Sequence, residues 1–281
     1  MFSSIVIAGG ALKVISALGC IKYMEEKGLI DPLKNCVGTS AGSFVCFLIV
    51  LGFSFVEMLE FLYTNLQDPN ISKLDATEVL NMLDTYGMSS GKNLELLVQR
   101  ALYKKLKVID ITFLELAKTT GKNLVVCVSN LSKERAEYFS VDTTPTTSVV
   151  MSIRVSCCIP ILFAPFLLND CYYMDGCLYN NFPMDYFVRQ GALKDILGIN
   201  ILYKKYQSTQ TFFSYAFFIV NSLLDKANHK SYDDEGNNIV TLELQEEDDW
   251  FSLTEMSIKF PKEKWATYVQ MGYQKIKDKL G

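Results

Sequence analysis

Histidine is almost absent: the 281 residues contain one, His229. This rules out a histidine-rich metal site and leaves any serine nucleophile with a single candidate imidazole base. No run of Lys or Arg occurs, and the formal net charge is −4. Phosphate-backbone binding needs a concentrated basic footprint, so nucleic acid is excluded as a partner, and net charge gives an anionic membrane nothing to attract. No C-x-x-C pair exists among the eight cysteines, which removes the usual zinc motifs. Cys20, Cys46 and Cys127 sit in apolar runs and read as buried free thiols of a reducing compartment. The opening MFSSIVIAGG has neither the basic nor the apolar stretch of a signal peptide. The longest apolar stretch, about 211–224, is too short and too polar at its ends to span a bilayer. A soluble cytoplasmic protein is expected, its membrane contact peripheral.

What is present is a globular composition, 49% hydrophobic and 21% charged, without repeats, low-complexity segments or a Pro/Gly-rich linker. Short β-rich runs alternate with helical stretches. Ile5 to Ile7 ends in Gly9-Gly10, after which Leu12, Ile15, Leu18, Ile21 and Met24 recur at helical spacing until Gly28. Residues 35–37 lead into a second glycine turn and a helix to about Leu51. Segments 77–86, 93–106 and 112–118 read as helices, with capping-box spacing at Asp75/Glu78 and Thr112/Glu115. Strands are expected at 124–128, 136–141, 171–174 and 196–201. Helices are expected at 148–158, stopped by Pro160, and at 211–226 and 262–279. The alternation predicts an α/β fold: a mostly parallel central sheet covered by helices on both faces.

Three turns carry chemistry. Gly38-Thr39-Ser40-Ala41-Gly42 is a G-x-S-x-G between a strand and a helix. In that setting the serine occupies a sharp, strained turn, the flanking glycines prevent backbone collision, and the helix points its positive end at the hydroxyl. Ala8-Gly9-Gly10-Ala11-Leu12-Lys13 is a second strand-to-helix turn whose N–H groups can meet an anion: a phosphate, or the oxyanion of an ester intermediate. Gly9, Ala11 and Val14 do not fit the dinucleotide-binding G-x-G-x-x-G, and the Gly-Lys-Ser/Thr of a phosphate loop is missing. The third turn is Met174-Asp175-Gly176, followed by Asn180-Asn181-Phe182-Pro183. A strand-terminal Asp-Gly is ordinarily just a turn. Ser40 needs a base, however, and His229 lies in a polar, loop-like stretch, so Asp175 is the natural candidate.

Taken together, Ser40 in GTSAG, the Gly9-Gly10 turn and Asp175-Gly176 resemble the patatin-like phospholipases. Segments 112–116, 120–122, 129–131 and Arg154-Val155-Ser156-Cys157-Cys158-Ile159-Pro160 follow in the family's order, and the resemblance covers about residues 1–201. It implies a patatin-like three-layer fold over a single domain, 1–281, in which 202–281 complete or cover the sheet. It also implies a lipid acyl hydrolase of phospholipase A type, with Ser40 as nucleophile, Asp175 as proton acceptor, and the N–H groups of Gly9, Gly10 and Ala11 as oxyanion hole. Gly38, Gly42 and Gly176 would shape the turns. The family's glycine turn has glycine where this chain has Ala11 and Val14. Ala11 still donates if its φ is negative, whereas Val14 shifts the loop if that position needs positive φ.

No cofactor and no metal are expected. The acidic stretch 231–236 fails as an EF-hand because Leu242 stands where the twelfth-position Glu belongs, so activity is expected to be calcium-independent. The expected partner is a phospholipid or other acyl lipid at a membrane or micelle interface. An acyltransferase or thioesterase with the same dyad, or a lipid-binding protein with a weak site, are the alternatives. The aromatic segment 211–220 reads as a core helix or as a lid.

Overall fold

The β-branched run near the amino end forms strand β1 (Ser4–Ile7) in the computed structural model, which describes residues 1–188, 195–204, 238–245, 251–252, 257–258 and 262–281. A 3-10 turn (Ala11–Val14) and helix α1 (Ile15–Glu26) carry the chain to β2 (Asn35–Thr39), parallel to β1. Then come α2 (Ala41–Val50), α3 (Phe55–Leu66), β3 (Gly87–Ser89), α4 (Lys92–Leu106), α5 (Phe113–Thr120) and β4 (Asn123–Asn130). Next are β5 (Arg135–Phe139), α6 (Val149–Ser156), β6 (Ile161–Phe163), β7 (Phe166–Leu168) and β8 (Cys171–Asp175). The described residues end with β9 (Ile196–Lys204), β10 (Ile239–Gln245) and α7 (Lys262–Leu280).

The central sheet has the order β10-β9-β1-β2-β4-β8-β7, with β5 also paired to β4. From β10 to β4 every pairing is parallel; β8, β7 and β5 join antiparallel. Consecutive residues of a strand point to opposite faces. Ile5, Val6 and Ile7, Cys36 and Val37, and Val125 and Val126 are all fully buried, so both faces are covered, as parallel strands require. The chain thus has the expected α/β fold.

Two segments depart from the periodicity reading. Segment 77–86 is not one helix but two short turns, Ala76–Leu80 and Met82–Thr85, ended by Tyr86 in the left-handed region (φ 63°). The expected reciprocal capping box is also missing there. Asp75 does accept from Thr77 N, but the Glu78 carboxylate reaches across to Ser90 N (2.9 Å) instead of back to its own helix start. Conversely, α3 carries a complete capping box, Ser54 with Glu57, that propensity alone did not single out. The box expected at Thr112/Glu115 is present. The expected helix 211–226, His229 and the acidic stretch 231–236 lie outside the described residues.

Candidate active site

Strand β2 ends at Thr39 and α2 begins at Ala41, so Ser40 alone makes the corner, with φ 53° and ψ −132°. A non-glycine residue holds such a conformation only where its surroundings over-determine it, and here they do. The Ser40 carbonyl accepts from Ser43 N (2.8 Å) and from Ser43 Oγ (2.6 Å). Its N–H donates to Ser156 Oγ (2.8 Å), which in turn donates to the Cys127 carbonyl (2.6 Å). The expected crowding at the flanking glycines is present. A Cβ on Gly42 would come within 2.4 Å of the Ile7 and Ala8 carbonyl oxygens, and one on Gly38 within 2.5 Å of Ser43 N.

The base candidate arrives from the other side of β4. Thr39 pairs with Cys127 in parallel, and Asp175 pairs with Val128 antiparallel, so the ends of β2 and β8 meet at one level across β4. Ser40 Oγ donates to Asp175 Oδ2 at 2.6 Å, and Cys177 N donates to Oδ1 at 2.9 Å. Asp175 is fully buried and Ser40 only 5% exposed. Burial pushes the Asp175 carboxyl up to about 6, although the hydrogen bonds from Ser40 and Cys177 pull the other way. The same desolvation, with the Asp175 charge nearby, holds the Cys157 and Cys177 thiols well above their ordinary range, which favours their protonated form. Gly176 lets the turn pass β4: a Cβ there would lie 2.4 Å from the Cys127 carbonyl oxygen.

The glycine turn requires two corrections. Gly9 N–H is not available to an oxyanion, because it donates to the Asn181 carbonyl at 3.1 Å, while Asn181 Nδ2 donates to the Gly9 carbonyl at 3.3 Å. Gly10 and Ala11 are the expected donors whose N–H groups meet no acceptor among the described residues. Ala11 also has φ 43°, positive rather than negative, a conformation that costs an L-residue energy. Val14, by contrast, is accommodated without strain at φ −55°, where the 3-10 turn runs into α1.

Sequence reasoning missed the residues that tie these turns together. Asn180 accepts from Thr39 Oγ1 through its carbonyl (2.9 Å) and donates from Nδ2 to Tyr138 Oη (2.8 Å) and to Asp185 Oδ1 (2.5 Å). The Asn180–Asn181 pair therefore links the Asp175 turn, the nucleophile strand and the Gly9 turn. Its only sequence signal was proximity to Asp175-Gly176. Ser156 had none, since nothing local marks one serine of a buried helix as the partner of a residue 116 positions away. Among the described residues no group of three His, Cys, Asp or Glu side chains could hold a metal ion, and no helix is long and apolar enough to cross a membrane.

A sequence model of a family described as patatin-like phospholipase matches residues 5–188. Among curated proteins, a probable lipid hydrolase of Invertebrate iridescent virus 6 is 30% identical over 216 residues, 73% of this chain and 72% of that protein. An uncharacterized protein of Acanthamoeba polyphaga mimivirus is 26% identical over 186 residues, 66% of this chain and 61% of that protein. VipD from Legionella pneumophila is similar in structure, with a TM-score of 0.62 and 18% identity, over 99% of this chain and 66% of that one. A chain from the complex of full-length SpcU with full-length ExoU, from the type III secretion system of Pseudomonas aeruginosa, has a TM-score of 0.54 and 15% identity, over 99% of this chain and 52% of that one. The chain thus spans about two thirds of VipD and about half of the ExoU-complex chain. At these identities the structural likenesses bear on the fold alone.

Proposed function

The chain belongs to the patatin-like phospholipase family, and from that premise we propose that it hydrolyses acyl-lipid esters, phospholipids among them, through a Ser40–Asp175 dyad. The observation that carries the reading is the 2.6 Å hydrogen bond from Ser40 Oγ to a fully buried Asp175 carboxylate. An ordinary aspartate, with a pKa of about 3.9, is a weak base at neutral pH. Raised to about 6 by burial, Asp175 remains mostly ionised at pH 7 yet accepts a proton more readily.

In this mechanism Ser40 Oγ attacks the ester carbonyl carbon as its proton passes to Asp175. The carbonyl oxygen becomes an oxyanion held by the N–H groups of Gly10 and Ala11, with the positive end of α2 beside it. The C–O bond to the alcohol breaks, and Asp175 returns the proton to that leaving alkoxide. Water then gives its proton to Asp175 as it attacks the acyl-enzyme, and that proton passes to Ser40 Oγ as the acyl C–O bond breaks, releasing the fatty acid and restoring the dyad. No step calls for a metal. The whole chain is read as one domain: β10 extends the sheet beyond β9, and α7 packs on α1. Eight free thiols accord with a reducing, cytoplasmic setting.

The experiment is labelling of the full-length protein by a fluorophosphonate, which reports an activated serine without a guess at substrate. Wild type should label, Ser40→Ala should not, and Asp175→Asn should label far more slowly. Folded wild type that fails to label, with and without lipid vesicles, would favour a lipid-binding protein whose glycine turn no longer supports catalysis.

A further inference from the structure

Leu80, Leu83 and Tyr86 recur every third residue across the two short turns 76–80 and 82–85, and they are 84%, 83% and 71% exposed. Leucine is among the residue types most often buried, so two nearly bare leucines and a bare tyrosine within seven residues leave an outward apolar patch on this segment. Tyr86 also forms one wall of a groove of about 580 Å3 lined further by Leu131, Ile161, Pro165, Tyr172 and Met174. Tyr172 brings the β7–β8 hairpin to the same groove, and its cross-strand partners Leu167 and Tyr172 are 57% and 46% exposed. Two elements remote in sequence thus bring exposed apolar side chains to one apolar trough.

The strand register locates this face relative to the dyad. Strand β4 runs three residues past Cys127, the partner of Thr39, and then reaches Leu131 in the groove wall, where Leu131 N donates to the Tyr172 carbonyl at 2.8 Å. The groove therefore lies beyond the carboxyl ends of β2 and β4, the end that carries Ser40 and the end at which open α/β sheets take their ligands. Met174, in the groove lining, directly precedes Asp175.

We propose that the Leu80–Leu83–Tyr86 patch and the Leu167–Tyr172 hairpin seat the protein on an uncharged or zwitterionic lipid surface. The inference rests on the acyl-lipid reading above, which requires a water-insoluble substrate to reach a buried serine from this end. The charge pattern selects the kind of surface: exposed Asp84 follows Leu83, exposed Asp170 tips the hairpin, and the chain carries a net −4, all of which oppose an anionic bilayer. Leu80, Leu83 and Leu167 favour lipid over protein, since leucine is under-represented among protein-interface hot spots and faces the acyl boundary in interfacial elements, while Tyr86 and Tyr172 suit either surface.

The test uses full-length Ser40→Ala protein, so that turnover cannot alter the membrane, co-sedimented with phosphatidylcholine vesicles and with the same vesicles doped with phosphatidylserine. Binding to phosphatidylcholine is expected, with no gain from phosphatidylserine. Adding Leu80→Ser and Leu83→Ser should lower the partition coefficient at least about tenfold. Tyr172→Ser on the hairpin should lower it independently, and thermal melts should be unchanged because these side chains are exposed. Unchanged partition in both variants, binding that depends on phosphatidylserine, or no vesicle binding at all would overturn the proposal; the last would point to a protein partner for this face. Wild type that labels with fluorophosphonate but ignores vesicles overturns the docking surface alone. Wild type that binds vesicles but never labels overturns the dyad alone.

Discussion

Asp175 is the residue whose chemistry is most exposed to test, because its burial has opposite consequences for catalysis and stability. In the proposed mechanism it must be ionised, so hydrolysis of a soluble ester should rise with pH through about 6, the value to which burial pushes the group. For stability the sign follows from the direction of the shift: the folded carboxyl holds its proton more tightly than the unfolded one. Below about pH 4 both states are protonated and burial carries no electrostatic cost. Above about pH 6 both are ionised, and the folded state is penalised by roughly 3 kcal/mol. Asp175→Asn should therefore melt higher than wild type at pH 8, and the gap should close as pH falls to 4. A constant gap across that range would mean that packing, not ionisation, sets it. Ala11 offers a second test. Its φ of 43° is strained for alanine and free for glycine, so Ala11→Gly should raise unfolding stability by roughly 0.5–1 kcal/mol in a denaturant titration, with fluorophosphonate labelling retained.

At the scale of elements, the crossing of α1 and α7 decides how the carboxyl-terminal helix joins the fold. The two helices touch backbone to backbone. A Cβ on Gly272 would lie 1.8 Å from the Ser16 carbonyl oxygen, and one on Gly19 would lie 1.9 Å from that of Val269. Cys20 Sγ donates to the Gly272 carbonyl at 3.3 Å, and Tyr23 meets Tyr273 edge to face at 5.6 Å. Gly272→Val must push the helices apart, uncovering Ile276 and Trp265, both buried. A loss of about 3 kcal/mol or more is expected in chemical denaturation. A loss below about 1 kcal/mol would show that α7 is not integral to the folding unit, against the single-domain reading. Glu78 argues at the same scale from the other direction. Its spacing from Asp75 promised a capping box, but a tertiary partner, Ser90, took the carboxylate.

For the whole molecule, the dyad mechanism asks for no metal, and hydrolysis should survive exhaustive chelation; a strict loss restored by calcium would overturn the mechanism as written. Much of the strand–helix alternation that frames the site, the two candidate dyad residues and the glycines of the nucleophile turn were legible in the sequence. Each leaves a local mark: β-branched runs, helical periodicity, and glycine wherever a corner brings backbone against backbone. Three things were not legible. The donor set of the oxyanion turn changed because Asn181, remote in sequence, engages the Gly9 N–H. The support of the Ser40 backbone by Ser156 joins two buried elements that no periodicity connects. The exposed Leu80, Leu83 and Tyr86 read in sequence like the apolar positions of a buried helix, so pattern alone gave them no direction. The sequence by itself determined which residues are candidates for the chemistry and most of the elements that carry them. Only the tertiary structure decided which hydrogen-bond donors remain free and which apolar faces meet solvent, because both depend on what the chain brings alongside from a hundred or more residues away.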